Sequence, residues 1–97
     1  MTFHHIVAIT WPRPIPDRLV SKLSSTLDRL SEECQEIKSY SHGPDTNLRE
    51  GNGDYGIAAE FENSAAWSEY DKHPTHLVAK QVLSESAAEY VVVQFED

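Results

Sequence analysis

The stretch Tyr70-Asp71-Lys72-His73-Pro74-Thr75-His76 holds the side chains of this sequence best placed to exchange a proton. Pro74 pushes the residue before it out of helical geometry. The backbone must therefore turn here, which lets Tyr70 and His76 approach each other. A phenol and an imidazole have reference pKa values of roughly 10 and 6.5, a workable donor and acceptor near neutrality. In that role one of the pair would accept a proton and the other would donate one. His5, on the mostly apolar face of the first strand, is positioned to point into the same space. The expected ligand pocket lies between helices and sheet, lined by His5, Val7, Ile9, Leu23, Leu27, Tyr55 and Ile57.

The same residues have plain structural uses. Tyr70 can cover the core with its ring and leave its hydroxyl wet. His5 can be a satisfied core histidine. His73 is expected to bond loop carbonyls, and His76 to open a helix. A metal reading draws on His73 and His76 with Asp71 or Glu69, joined by His4 or His5. It meets a spacing that crosses a helix break and lacks one-face helical geometry. No metal and no cofactor is expected. Phosphate-binding glycine loops, serine nucleophile signatures and cysteine clusters are absent. His42 falls at a strand end and is expected to be exposed.

The elements that must hold this stretch follow from periodicity. Phe3 to Trp11 alternates as a strand, with Phe3, His5, Val7, Ile9 and Trp11 on one face and His4, Ile6, Ala8 and Thr10 on the other. Pro12, Pro14 and Pro16 stop it. A helix is predicted from Pro16 or Asp17 to Glu33, with Leu19, Val20, Leu23, Leu27, Leu30 and Cys34 on one stripe. A weaker strand runs from Ile37 to His42. It is followed by a Gly- and Asn-rich loop from Gly43 to Gly53 and a third strand from Tyr55 to Phe61. Asn63 or Ser64 caps a short helix, Pro74 breaks it, and a further helical piece spans Thr75 to Leu83. Tyr90 to Phe95 is the last strand.

The order is β-α-β-β-α-β, an α+β, ferredoxin-like arrangement with a four-stranded antiparallel sheet. Two helices can cover only one face of such a sheet. The strands nevertheless carry apolar residues on both faces, with Ile6 and Ala8 behind Val7 and Val91 and Val93 behind Val92. An apolar sheet face left over in this way marks an interface. Two sheets packed face to face about a two-fold axis would cover both, so a homodimer is expected.

Composition narrows the function further. A chain of 97 residues forms one domain, 1–97, with a thin core. Its net charge of −8, from 16 acidic against 8 basic residues, argues against nucleic acid and anionic membrane surfaces as partners. Cys34 is the only cysteine, which fits a reducing compartment. The apolar N-terminal run has no basic leader and reads as a strand rather than a signal peptide, so the cytoplasm is the expected location.

Taken together, His5-Ile6-Val7 opening the first strand, Asp54 to Phe61, the Tyr70–His76 stretch, Gly43 and the valine-rich last strand ending at Phe95 resemble the stress-responsive A/B barrel (Dabb) family. The resemblance spans essentially the whole chain. It implies a homodimer whose two sheets form a dimeric α+β barrel. Within that family the chain is similar to plant polyketide cyclases of the olivetolic acid type. There the tyrosine and histidine matching Tyr70 and His76 act as an acid–base pair, and the strand-opening histidine matches His5. This chain departs from the pattern in having Tyr55 where many members carry a histidine. It also has Leu23, Ser24 and Leu27 where the plant enzyme carries bulky aromatics. The reading is a cofactor-free lyase or cyclase acting on a small carbonyl compound. The alternative is a non-catalytic structural or ligand-binding dimer, and a cofactorless monooxygenase stands third.

Overall fold

Strict alternation in the first strand decides which side of the sheet is covered. In the computed structural model, which describes residues 1–97, β1 spans Phe3–Thr10 and buries Phe3, His5, Val7 and Ile9 on one side. Ile6, Ala8 and Thr10 lie on the other side and are exposed. The remaining elements are α1 (Asp17–Glu33), β2 (Ile37–Pro44), β3 (Tyr55–Phe61), α2 (Ser64–Asp71), α3 (Pro74–Glu85) and β4 (Glu89–Glu96). The four strands form one antiparallel sheet in the order β2-β3-β1-β4, a ferredoxin-like α+β topology. β1 is central, with Val7 opposite Ile57 of β3 and Val92 of β4, and His5 opposite Ala59 and Gln94.

The helices form for local reasons and stay for tertiary ones. α1 buries Leu23, Leu27 and Leu30 at helical spacing, and Thr26 joins them because its hydroxyl donates to the Lys22 carbonyl at 2.7 Å. Cys34 closes the helix, its backbone N–H donating to Leu30 O at 2.9 Å. Asn63 caps α2 by accepting from the Ala66 N–H at 2.9 Å, a contact typically worth about 1 kcal/mol. Pro74 sits in the first turn of α3, where its missing N–H removes no helical bond. The last helical region is therefore two helices, α2 and α3, meeting at that proline.

All three helices lie on the side of Val7 and Ile57, and the core fills the space between. Its most deeply buried side chains are Tyr55, Tyr70, Phe61, Ile9, Leu23, Leu27 and Leu30. The outer side of the sheet carries no helix. There Val91, Val93 and Phe95 of β4 are 68%, 54% and 46% exposed, and Ile6 beside them 36%. β4 is an edge strand with no buried residue on either face. No helix is long and apolar enough to cross a membrane.

Two sequence expectations shift. β2 continues past His42 to Pro44, because Gly43 and Pro44 still pair with Gly56 and Tyr55. An edge-strand position tolerates a proline that cannot donate. His42 is not exposed: its side chain is only 8% accessible. It lies under α1, its Nδ1 2.7 Å from the Tyr55 hydroxyl and its Nε2 2.8 Å from Asp28 Oδ1. Pairing with both a buried phenol and a carboxylate on the helix above is what draws it inward.

Candidate functional site

The sharp turn at Pro74 carries α2 into α3 and folds His76 back over Tyr70. Their ring centroids lie 4.5 Å apart. Tyr70, at the last turn of α2, is 1% exposed and sits within a set of aromatic rings, with Phe61 at 5.1 Å, Tyr40 at 5.8 Å and His5 at 5.9 Å. Its hydroxyl faces no bulk water; it shares a 2.8 Å hydrogen bond with the Tyr40 hydroxyl of β2. Burial pushes the Tyr70 pKa up to about 12, with the Tyr40 bond working against it. Tyr40 is raised too, by burial first and by its neighbour Tyr70 second. Both phenols are therefore neutral donors at pH 7.

His76 Nδ1 lies 2.8 Å from the carbonyl oxygen of Asp71. A carbonyl only accepts, so Nδ1 donates and Nε2 keeps its lone pair. Burial lowers the His76 pKa below its usual value, opposed mainly by that same backbone bond. The neutral ring is thus a base in the form able to take a proton. Around it, Asp71 and Lys80 pair with each other at 3.2 Å, so their charges largely cancel at the rim.

A cavity of about 300 Å³ opens beside both Tyr70 and His76. Its floor is His5 and Val7 of β1 with Ile57 of β3, and one wall is Leu23 and Leu27 of α1. Trp67, Ala79 and Leu83 supply the rest of the apolar lining, and Tyr90, Val92 and Gln94 of the edge strand form the open side. Of the residues expected to line a pocket, His5, Val7, Leu23, Leu27 and Ile57 are brought together here. Ile9 and Tyr55 are not. Both are core residues, at 0% and 2% exposure, and the Tyr55 ring turns toward His42 and away from the cavity.

The contribution of β4 and of Trp67 escaped sequence reasoning. Tyr90, Val92 and Gln94 alternate with Val91, Val93 and Phe95, so periodicity offered two faces but not which one lay over the cavity. The signal available was pairing: once β4 is placed beside β1, residues opposite His5, Val7 and Ile9 must share their side. Trp67 lines the cavity with a buried indole N–H that has no hydrogen-bond partner. It is the one such side-chain atom in the chain, and a ligand in the cavity would meet a free donor there.

His73 takes a different part from the one expected. Its Nδ1 accepts from the Thr75 N–H at 3.1 Å and caps α3, because the first N–H groups of a helix lack partners and an imidazole lone pair can serve one of them. It does not bond loop carbonyls. Nor do His73, His76, Asp71 and Glu69 converge: no group of three or more His, Cys, Asp or Glu side chains comes together in the chain.

His5 carries a consequence for stability. Burial, then the nearby His76, pushes its pKa down from 6.5 to about 4. Between those values the unfolded chain binds a proton that the folded chain does not, so stability is present above pH 6.5 and is lost as pH falls toward 4. His5 alone contributes up to about 3 kcal/mol of this loss, and His76 adds to it with the same sign. Urea unfolding at pH 7 and pH 4.5 should show a drop that shrinks by roughly half or more in His5→Gln. An unchanged pH dependence in that variant would overturn the assignment.

Comparison with known proteins places the fold and the family. Residues 3–97 match the family model of the stress responsive A/B barrel domain. Among solved structures, a dimeric ferredoxin-like protein of unknown function from Thermobifida fusca YX is similar at 28% identity and a TM-score of 0.90, over 100% of this chain and 92% of that one. A dimeric protein of unknown function with a ferredoxin-like fold from Bacteroides fragilis is similar at 22% identity and TM-score 0.87, over 99% and 96%. A hydroxynitrile lyase from Passiflora edulis shares the fold at 13% identity and TM-score 0.76, over 99% and 94%. No curated protein matches the sequence significantly.

Proposed function

The chain belongs to the stress-responsive A/B barrel (Dabb) family, and on that premise we propose that it is a homodimer with a small-ligand cavity in each copy, working as a cofactor-free acid–base lyase or cyclase on a small carbonyl compound. One observation carries the chemistry. The largely apolar cavity is lined by both His76, a neutral imidazole whose Nε2 is left bare, and the neutral phenol of Tyr70. His76 takes the proton from carbon. Tyr70 donates to the oxygen on which charge develops. That role requires Tyr40 to be the donor in the hydrogen bond the two hydroxyls share, so that the Tyr70 proton is free for the ligand. Apolar walls lower the local dielectric and strengthen both interactions.

The dimer is supported by the uncovered outer face of the sheet and by the description of two similar proteins as dimeric. The outer residues Ile6, Ala8, Val91 and Val93 would pack against the same residues of a second copy. The lyase or cyclase class is supported by the fold, which also carries a hydroxynitrile lyase. A polyketide-like compound fits the cavity's mixture of apolar wall and few polar groups.

The test is a thermal-shift screen of small aromatic and β-dicarbonyl compounds, followed by turnover assays on those that bind. Stabilisation of the wild-type protein that disappears in Tyr70→Phe and His76→Ala is the expected result. Binding without turnover would favour the alternative of a non-catalytic ligand-binding dimer. Stabilisation that survives in both variants would remove the pair from the site.

A further inference from the structure

We propose that Gln94 is a positioning residue that holds His5 in the tautomer bearing its proton on Nε2, so that the two cavity histidines act in opposite senses, one as a hydrogen-bond donor and the other as an acceptor. The inference rests on the reading of this cavity as the ligand site, and it concerns how that site is set rather than whether it turns a substrate over.

His5 and Gln94 stand directly opposite each other on β1 and β4. Gln94 Nε2 lies 3.0 Å from His5 Nδ1. An amide nitrogen carries two hydrogens and offers no lone pair, so it can only donate, and Nδ1 must accept. A neutral imidazole that accepts at Nδ1 carries its proton at Nε2. His5 is 6% exposed and lines the cavity floor, where burial favours the neutral ring. His76 obeys the mirror rule. Its Nδ1 donates to the Asp71 carbonyl, which leaves Nε2 bare.

The two rings flank Tyr70, at 5.9 Å and 4.5 Å between centroids. With Gln94 in place the cavity presents two neutral donors, Tyr70 and His5, and one base, His76. A ligand oxygen on which negative charge develops then has two partners while the base takes the proton. With the His5 proton moved to Nδ1, a bare nitrogen would replace one of those donors and repel the same oxygen. The identity of residue 94 therefore matters in a specific way. A carboxylate there would accept from Nδ1–H, reverse the tautomer and favour a charged ring. The amide, with its nitrogen turned toward His5, does neither.

The experiment reads the tautomer directly, without needing turnover. Two-bond proton–nitrogen correlations in ¹⁵N-labelled protein at pH 7.5 distinguish the two neutral forms and the cation for each histidine. In the wild-type protein His5 should carry its proton on Nε2 and His76 on Nδ1. In Gln94→Glu, His5 should move to the Nδ1–H form or the cation while His76 stays as it was, and in Gln94→Leu, His5 should populate both neutral forms. Residue 94 is exposed on an edge strand, so both variants should fold. Acetylacetone, titrated in the same spectra as a carbonyl probe, should bind about tenfold more weakly to Gln94→Glu. A wild-type His5 protonated on Nδ1, or a His5 tautomer that ignores both substitutions, would overturn the proposal. If the tautomer responds as stated but no carbonyl compound binds, the carbonyl-ligand reading falls and the positioning by Gln94 stands.

Discussion

His76→Ala is expected to lower turnover of a carbonyl substrate by about two to four powers of ten, the usual worth of a positioned general base. In the proposed reaction the effect would arise because His76 Nε2 would act as the base, its Nδ1 already committed to the Asp71 carbonyl. Tyr70→Phe should cost about two to three powers of ten. Only an oxygen is lost there, so the aromatic packing against Phe61 and His5 persists; the Tyr40 hydroxyl loses its partner, and the folded state should lose about 1 kcal/mol and still form. Rate against pH gives an independent check. Burial holds the His76 pKa below its ordinary value, so activity should be full at neutral pH and fall only as pH drops through that lowered value. Raising the pH should not remove it until the tyrosine titrates, and Tyr70 is held at about 12. His73→Ala serves as the control, since His73 caps α3 and lies outside the cavity lining. It should reduce stability by about 1 kcal/mol and leave turnover within a small factor. Equal losses in His73→Ala and His76→Ala would show that the stretch acts through the fold and not through proton transfer.

Val93→Glu is expected to convert a dimer into an aggregating or unfolded monomer. Val93 pairs with Ile6 in the sheet register and is 54% exposed on the outer face of a single copy. In a face-to-face dimer it would lie opposite a second apolar sheet, where a carboxylate without a partner costs several kcal/mol. Ala8→Glu, on the same face beside Val91, should act alike. Light scattering at micromolar concentration should give twice the 11.0 kDa chain mass for the wild-type protein. Lys22→Glu, on the exposed side of α1, should leave that mass unchanged. A monodisperse wild-type species of 11.0 kDa would remove the dimer.

Much of this architecture depends on short-range rules and is readable without coordinates. The alternation of Phe3, His5, Val7 and Ile9 determines a strand and its buried side whatever lies next to it. Leu23, Leu27 and Leu30 determine the inner stripe of α1. Asn63 and Pro74 mark where α2 and α3 begin, because capping and the loss of an N–H act within one turn of chain. The approach of His76 to Tyr70 belongs to the same class, since a single proline bends the backbone between them.

What only the tertiary structure decided are the contacts between residues far apart in sequence. Tyr40 reaches Tyr70, His42 joins Asp28 to Tyr55, and Gln94 reaches His5. Each pair depends on the order β2-β3-β1-β4 and on its register, and a shift of one residue would turn the partner to the opposite face. Local pattern carries no record of that register. It also left His42 at an apparently open strand end and placed Ile9 and Tyr55 in the pocket, because facing the helices and facing the cavity look alike in an alternating strand. The cavity exists only where α1 and α3 leave the β4 side of the sheet uncovered, and that gap is a property of packed layers, not of any one segment.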